Sequence, residues 1–135
     1  MPGAPATTPR KQLIIAIVDD DASVCRALER LVRSLGFEGA TFSGGQHFLD
    51  ALSGPVPILP DCAVLDIHMP GMTGIELQQR LAGTGLPIVF ITAHDDPVLR
   101  KQALTAGAKA FLRKPFDDEL FVETLYAALS RPRDP

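Results

Sequence analysis

Five residues of this 135-residue chain are of types that act together on phosphate: Asp19, Asp20, Asp66, Thr92 and Lys114. Carboxylates ~5 Å apart repel by about 3 kcal/mol per pair at an effective dielectric of 20, so three of them in one place require a cation. A compact set of hard oxygen ligands favours Mg²⁺ (or Mn²⁺) over zinc. A Mg²⁺ that keeps some of its water can also hold a phosphate, and a lysine ammonium can pair with a further phosphate oxygen. The chemistry this set suits is transfer of a phosphoryl group to a carboxylate, with metal and lysine neutralising charge while an aspartate attacks. Asp66 is the expected nucleophile, because it stands alone between the acid pair and Lys114 in the sequence.

These residues can meet only if the fold gathers them. The unbroken apolar run Leu13 to Val18 predicts a central strand buried on both faces, and Asp19 and Asp20 follow it directly. Val24, Leu28, Leu31, Val32 and Leu35 then keep helical spacing, with Asp21 as the expected N-cap and Gly36 where the helix stops. A weaker strand is expected over 37–42 and a helix over 46–53. The strand Cys62 to Leu65 ends at Asp66. A Pro- and Gly-containing loop leads into a short helix bearing Ile75, Leu77 and Leu81. The strand Ile88 to Ile91 ends at Thr92. Asp96 and Pro97 are an N-cap and first-turn pair for a helix stopping near Gly107. A short fifth strand, Ala110 to Leu112, precedes Lys114. Asp117 can cap the last helix, with Phe116 and Phe121 as a hydrophobic staple.

Five βα units predict an α/β fold: a doubly wound parallel sheet in a three-layer, flavodoxin-like (βα)5 sandwich, with right-handed crossovers. The least apolar strands, two and five, fit the edges of the order 2-1-3-4-5. In such a sheet the carboxyl ends of the strands share one edge, and ligands bind where the strand order reverses, between strands one and three. Singly, an Asp after a strand is usually a helix cap, a Thr is a good strand residue and a Lys is solvated. At the ends of four strands of one sheet, they converge on one crevice.

Composition sets the bounds. The chain has 46% hydrophobic and 21% charged residues, which suits one soluble domain. Its net charge of −3 argues against a general nucleic-acid or membrane-surface binder. No apolar run approaches a membrane span, and Leu13 to Val18 is too short for a signal sequence. Cys25 and Cys62 belong to no metal-binding cluster and are expected to be buried thiols of a cytoplasmic protein. Residues 1–11 and 131–135 are Pro-containing and polar and are expected to be flexible tails around a domain at 12–130.

The chain resembles the receiver domains of bacterial two-component response regulators. The residues that carry the resemblance are Ile17-Val18-Asp19-Asp20, Leu65-Asp66-Ile67-His68-Met69-Pro70-Gly71-Met72-Thr73-Gly74, Phe90-Ile91-Thr92-Ala93, Gly107-Ala108 and Phe111 to Phe116. The wording is most similar to receivers of the FixJ type. The resemblance implies that Asp66 accepts a phosphoryl group from a sensor histidine kinase. Asp20, Asp66 and the backbone carbonyl of His68 would bind Mg²⁺ directly, and Asp19 through water. Lys114 would hold the phosphoryl group, and the Lys114–Pro115 bond would be cis. Thr92 and Phe111 would be the switch, shifting the face made by helix four, strand five and helix five. The domain would catalyse only its own phosphorylation and dephosphorylation, and is not expected to be an enzyme on a separate substrate.

His68 and His94 stand two residues after Asp66 and Thr92. They are expected to lie over the phosphoryl site and to shield or order the water that removes it, with a pH dependence near 6.5. A haloacid-dehalogenase-type phosphatase is disfavoured because its second aspartate is replaced by His68. A flavin binder is disfavoured because three aspartates would repel FMN. A receiver that keeps the fold as a phosphorylation-independent interaction module is the alternative, opposed by the intact five residues. FixJ-type regulators usually carry a helix-turn-helix domain after the receiver, and none lies within these 135 residues, so the chain is expected to be either a stand-alone receiver acting by protein contact or the receiver of a longer regulator. Mixed charge around Arg100, Lys101, Lys109 and Arg113 suits a partner or a phosphorylation-promoted homodimer.

Overall fold

Apolar alternation decides which side of each strand faces which layer. In the computed structural model, which describes residues 12–130, Ile15 and Ile17 of the first strand face one side and Ala16 and Val18 the other, all fully buried. The elements are β1 (Ile14–Val18), α1 (Ala22–Ser34), β2 (Glu38–Phe42), α2 (Gly45–Ser53), β3 (Cys62–Asp66), α3 (Gly74–Arg80), β4 (Ile88–Thr92), α4 (Pro97–Thr105), β5 (Ala110–Arg113) and α5 (Asp118–Leu129). The sheet order is β2-β1-β3-β4-β5 and every pairing is parallel. The predicted topology is therefore the observed one. The expected tails lie outside the described residues.

Two cores form, one on each sheet face. Ile15, Ile17, Val64, Val89 and Ile91 pack with Leu28 and Val32 of α1 and Phe121 and Leu125 of α5. Ala16, Val18, Leu65 and Phe90 pack with Phe48 of α2, Leu77 of α3 and Ala103 of α4. β3 and β4 are buried throughout, whereas the edge strands β2 and β5 expose Glu38 and Arg113. That is why their sequences read as the least apolar.

The helix ends follow the caps read from sequence, with one difference. Asp21 accepts hydrogen bonds from the Ser23 and Val24 amides, and Asp96 from those of Val98 and Leu99. Gly36 stops α1 with φ +93°, a conformation that costs other residues strain. Asp117 occupies the N-cap of α5, but its exposed carboxylate makes no capping bond. The start of α5 is held by apolar contact: the rings of Phe116 and Phe121 stack at 5.7 Å with 17° between their planes. β2 begins at Glu38, because Phe37 is turned into the core beside α5, and α2 begins one residue early at Gly45.

Candidate phosphoryl site at the switch point

β1 and β3 lie side by side, and Val18 pairs with Leu65. The residues just beyond that register, Asp19 and Asp66, therefore emerge together at the carboxyl edge. Asp19, Asp20 and Asp66 each place a carboxylate oxygen within 4.8 Å of the others. Asp19 and Asp66 are buried, and Asp20 is exposed at the mouth. β5 brings in the cation: the Lys114 amide donates to the Thr92 carbonyl at 2.6 Å, and its side chain turns back across the sheet edge. Lys114 Nζ donates to Asp19 Oδ2 at 2.9 Å and lies 3.6 Å from Asp66 Oδ1. Thr92 is fully buried at the end of β4, and its Oγ1 accepts a hydrogen bond from the His94 amide at 3.2 Å. The Lys114–Pro115 bond is cis.

The frame around these residues is tight. Asp19 Oδ1 accepts from the Asp21 amide at 2.9 Å, and Cys25 Sγ donates to the Asp19 carbonyl at 3.3 Å. Behind Asp66, the Gly74 amide donates to the Ile67 carbonyl at 2.8 Å. A Cβ on Gly74 would collide with the Asp66 carbonyl oxygen, so the start of α3 can approach the end of β3 only with glycine there. A reciprocal capping box between Thr73 and Glu76 fixes that helix start.

The electrostatics follow from burial. Asp66 is pushed up to about 6, first by desolvation and then by the negative charge of Asp19, with Lys114 acting in the opposite sense. For Lys114, burial works against the charged form. The hydrogen bond to Asp19 and the charges of Asp66 and Asp19 outweigh it and raise the ammonium above its usual range. Three carboxylates against one ammonium leave an excess of negative charge. The all-oxygen donor set fits a hard divalent cation such as Mg²⁺ or Mn²⁺. Among the described residues no hydrogen bond is donated to the His68 carbonyl, which leaves that oxygen free as a further ligand.

The rings of His68 and His94 meet edge-to-face with centroids 5.2 Å apart, both exposed. Phe111 is half-buried. Its ring lies 6.3 Å from that of Phe90, and the Arg100 guanidinium sits over its outer side at 5.4 Å. Two contributors escaped the sequence reading. In sequence Arg100 is one charge of a mixed-charge surface. Within that surface it forms one ion pair, with Asp95 at 3.6 Å. Gln78 is an ordinary polar helix residue in sequence, yet it is buried and donates through Nε2 to the Ala103 carbonyl, joining α3 to α4. Only its place on the buried stripe of α3, three residues after Ile75, could have signalled it. Cys25 and Cys62 are buried, free thiols as expected, and burial pushes Cys62 up to about 12.

A doubly wound sheet with three carboxylates and a lysine at its switch point defines a class of small α/β domains built around an acidic, cation-seeking crevice. A family model described as the response regulator receiver domain matches residues 15–126, and the chain belongs to that family, the receivers of two-component signalling. It is 37% identical over 122 residues to Nodulation protein W of Bradyrhizobium diazoefficiens, covering 89% of this chain and 52% of that protein. It is 38% identical over 117 residues to the transcriptional regulatory protein FixJ of the same organism, covering 85% and 56%. A receiver protein structure from Burkholderia phymatum superposes with TM-score 0.80 at 53% identity, covering 87% of this chain and 95% of that one. The crystal structure of FixJ-N superposes with TM-score 0.76 at 28% identity, covering 93% and 100%. The chain spans about half the length of the curated relatives it matches. Among the described residues no helix is long and apolar enough to cross a membrane.

Proposed function

We propose that Asp66 accepts a phosphoryl group from a phosphohistidine of a sensor histidine kinase. A carboxylate oxygen of Asp66 forms the new bond to phosphorus as the phosphorus–nitrogen bond breaks. The bonding pair stays on the kinase imidazole, which takes up a proton. Asp20, Asp66 and the His68 carbonyl would hold Mg²⁺ or Mn²⁺ directly, and Asp19 through water. Bound there, the metal supplies positive charge against the phosphoryl oxygens. Lys114 exchanges Asp19 for a phosphoryl oxygen, and the Thr92 hydroxyl donates to another. As Thr92 moves, Phe111 turns inward and the α4–β5–α5 face shifts between pre-existing states. The exposed imidazoles of His68 and His94 screen the bound phosphoryl group from water.

The observation that carries this reading is the position of Lys114 Nζ, hydrogen-bonded to Asp19 and 3.6 Å from Asp66, beside three converging carboxylates. No separate substrate is turned over, so the domain is a phosphoacceptor rather than an enzyme. It works in the cytoplasm, where free thiols persist, and speaks to protein partners rather than to nucleic acid or membrane. The test is intact-protein mass after incubation with Mg²⁺ and a small-molecule phosphodonor, or with phosphorylated kinase. One phosphoryl group on wild type and none on Asp66→Asn is expected. No adduct on wild type from either donor overturns the reading.

A further inference from the structure

The chain ends of β3 and β4 are tied together just past Asp66. The Ile67 amide donates to the Ile91 carbonyl at 3.2 Å, which continues the β3–β4 ladder by one bond. Each strand then leads to a histidine. His68 stands between Ile67 and Met69, both buried, so its backbone is held by the core on either side. The His94 amide donates to Thr92 Oγ1 at 3.2 Å, which fixes the turn after β4. Two anchored backbones thus carry two exposed imidazoles, and the ring centroids are 5.2 Å apart.

Among the described residues, hydrogen bonds and ion pairs leave the nitrogens of both rings without a partner. His47 differs: its Nδ1 accepts from the Ser43 amide at 3.2 Å, and its ring packs against Phe42 rather than another imidazole. A neutral imidazole offers a nitrogen lone pair, the donor that zinc, copper and nickel favour, whereas Mg²⁺ favours carboxylate oxygens. Zinc binds imidazole nitrogen at about 2.0–2.1 Å, so two rings on one tetrahedral ion have centroids about 5 Å apart. The observed 5.2 Å meets that spacing with no ion in place. Little ordering is left for an ion to impose, which favours its capture.

We propose that His68 and His94 form a two-imidazole site for a borderline divalent transition metal, distinct from the all-oxygen site of Asp19, Asp20 and Asp66. The donor types sort the ions: a hard cation goes to the carboxylates and a borderline one to the nitrogens. The two rings fill two positions of a tetrahedron and leave the rest to water, so the site is open and weaker than a four-ligand structural zinc site. An ion held there joins the loop after β3 to the loop after β4 and adds its binding energy to the folded state. Edge-to-face packing by itself also brings the rings together, but it captures no ion. Nothing in the site requires a phosphoryl group.

The experiment titrates Zn²⁺ into the full, unphosphorylated chain in excess Mg²⁺, which competes for the carboxylates. Imidazole nitrogen shifts are followed by NMR and affinity by calorimetry. The outcome is independent of whether Asp66 accepts a phosphoryl group. A nitrogen of His68 and one of His94 are expected to shift together as Zn²⁺ is added, while those of His47 stay in place. His68→Ala and His94→Ala should each weaken Zn²⁺ binding by about tenfold or more, because each leaves a single imidazole. Asp66→Asn, which removes a carboxylate from the other site, should retain it. Both histidines are exposed, and thermal melting in chelator confirms that the variants fold. Rings that show no shift overturn the proposal. So does Zn²⁺ that shifts His47 equally, or binding indifferent to either alanine. Loss of binding in Asp66→Asn overturns it as well, by assigning the ion to the carboxylates.

Discussion

The guanidinium of Arg100 lies 5.4 Å from the centroid of the Phe111 ring and 3.6 Å from the carboxylate of Asp95. It thus ties the first turn of α4 to β5 and covers the outward side of the ring assigned to the switch. A cation over an aromatic face at an exposed site is worth about 0.5–1 kcal/mol.

Arg100→Ala should therefore release Phe111 and raise its inward population by about 2- to 5-fold. Tighter binding of a trifluoroberyllate phosphoryl mimic, measured by titration in Mg²⁺, is the expected sign. Unchanged affinity would show that Arg100 does not hold the switch.

Gly74→Ala tests the packing behind the nucleophile. The added Cβ meets the Asp66 carbonyl oxygen, the Ile67 Cα and the Phe90 ring, two of them backbone contacts that cannot rotate away. Overpacking of this kind costs about 1–3 kcal/mol. Urea melts should show that loss. Phosphorylation should slow as well, because the carbonyl that must move belongs to Asp66.

The sequence made the edge of the site legible because a buried parallel strand leaves little freedom. Five apolar runs fixed five strands, and whatever followed each run had to lie at the carboxyl edge. Asp19, Asp20, Asp66, Thr92 and Lys114 were found that way. Which carboxylate Lys114 would choose was not legible. Asp19 and Lys114 are 95 residues apart, and the 2.9 Å contact depends on how β5 turns its last residues across β4. Arg100 over Phe111 and Gln78 beneath Ala103 were missed for the same reason. Each joins two elements whose own patterns read as ordinary helix or strand. Asp117 shows the converse, a residue of the right type in the right position whose carboxylate stays in water.

Lys114→Met removes the one ammonium among the site's carboxylates and leaves buried Asp19 without its ion-pair partner. An orphaned buried group costs about 1–3 kcal/mol, so the metal-free variant should melt lower at neutral pH. Asp66 should also titrate higher than about 6, because the charge of Lys114 is the larger of the two influences that draw it down, the other being a backbone hydrogen bond from His68. NMR of the carboxyl carbons would read that rise. A fixed value would mean that Lys114 does not couple to Asp66.

His94→Ala probes the two rings over the site. An edge-to-face pair contributes about 0.5–1.5 kcal/mol. Losing it frees the His68 ring and opens a path for water. The phosphoryl half-life should shorten by about 2- to 5-fold, while the rate of phosphorylation by a small donor stays the same. A half-life equal to that of wild type would assign both imidazoles to the solvent.

The pH dependence of stability gives the most direct reading of Asp66. Its carboxyl is held up at about 6 in the folded, metal-free chain, against 3.8 for an ordinary aspartate. The folded state therefore binds the proton more tightly than the unfolded state does. A raised carboxyl gives its full stabilisation below about 4 and loses it as the pH climbs through about 6. About 2 pKa units correspond to roughly 3 kcal/mol at most. In chelator, wild type should lose stability relative to Asp66→Asn as the pH rises from 4 to 7, and the two should converge at the acid end. Mg²⁺ at neutral pH should reverse the order by stabilising the ionised cluster of wild type more than the variant, which lacks one carboxylate. Paired urea melts with and without Mg²⁺ measure both effects. Parallel curves for wild type and variant in chelator would mean that Asp66 carries no raised pKa.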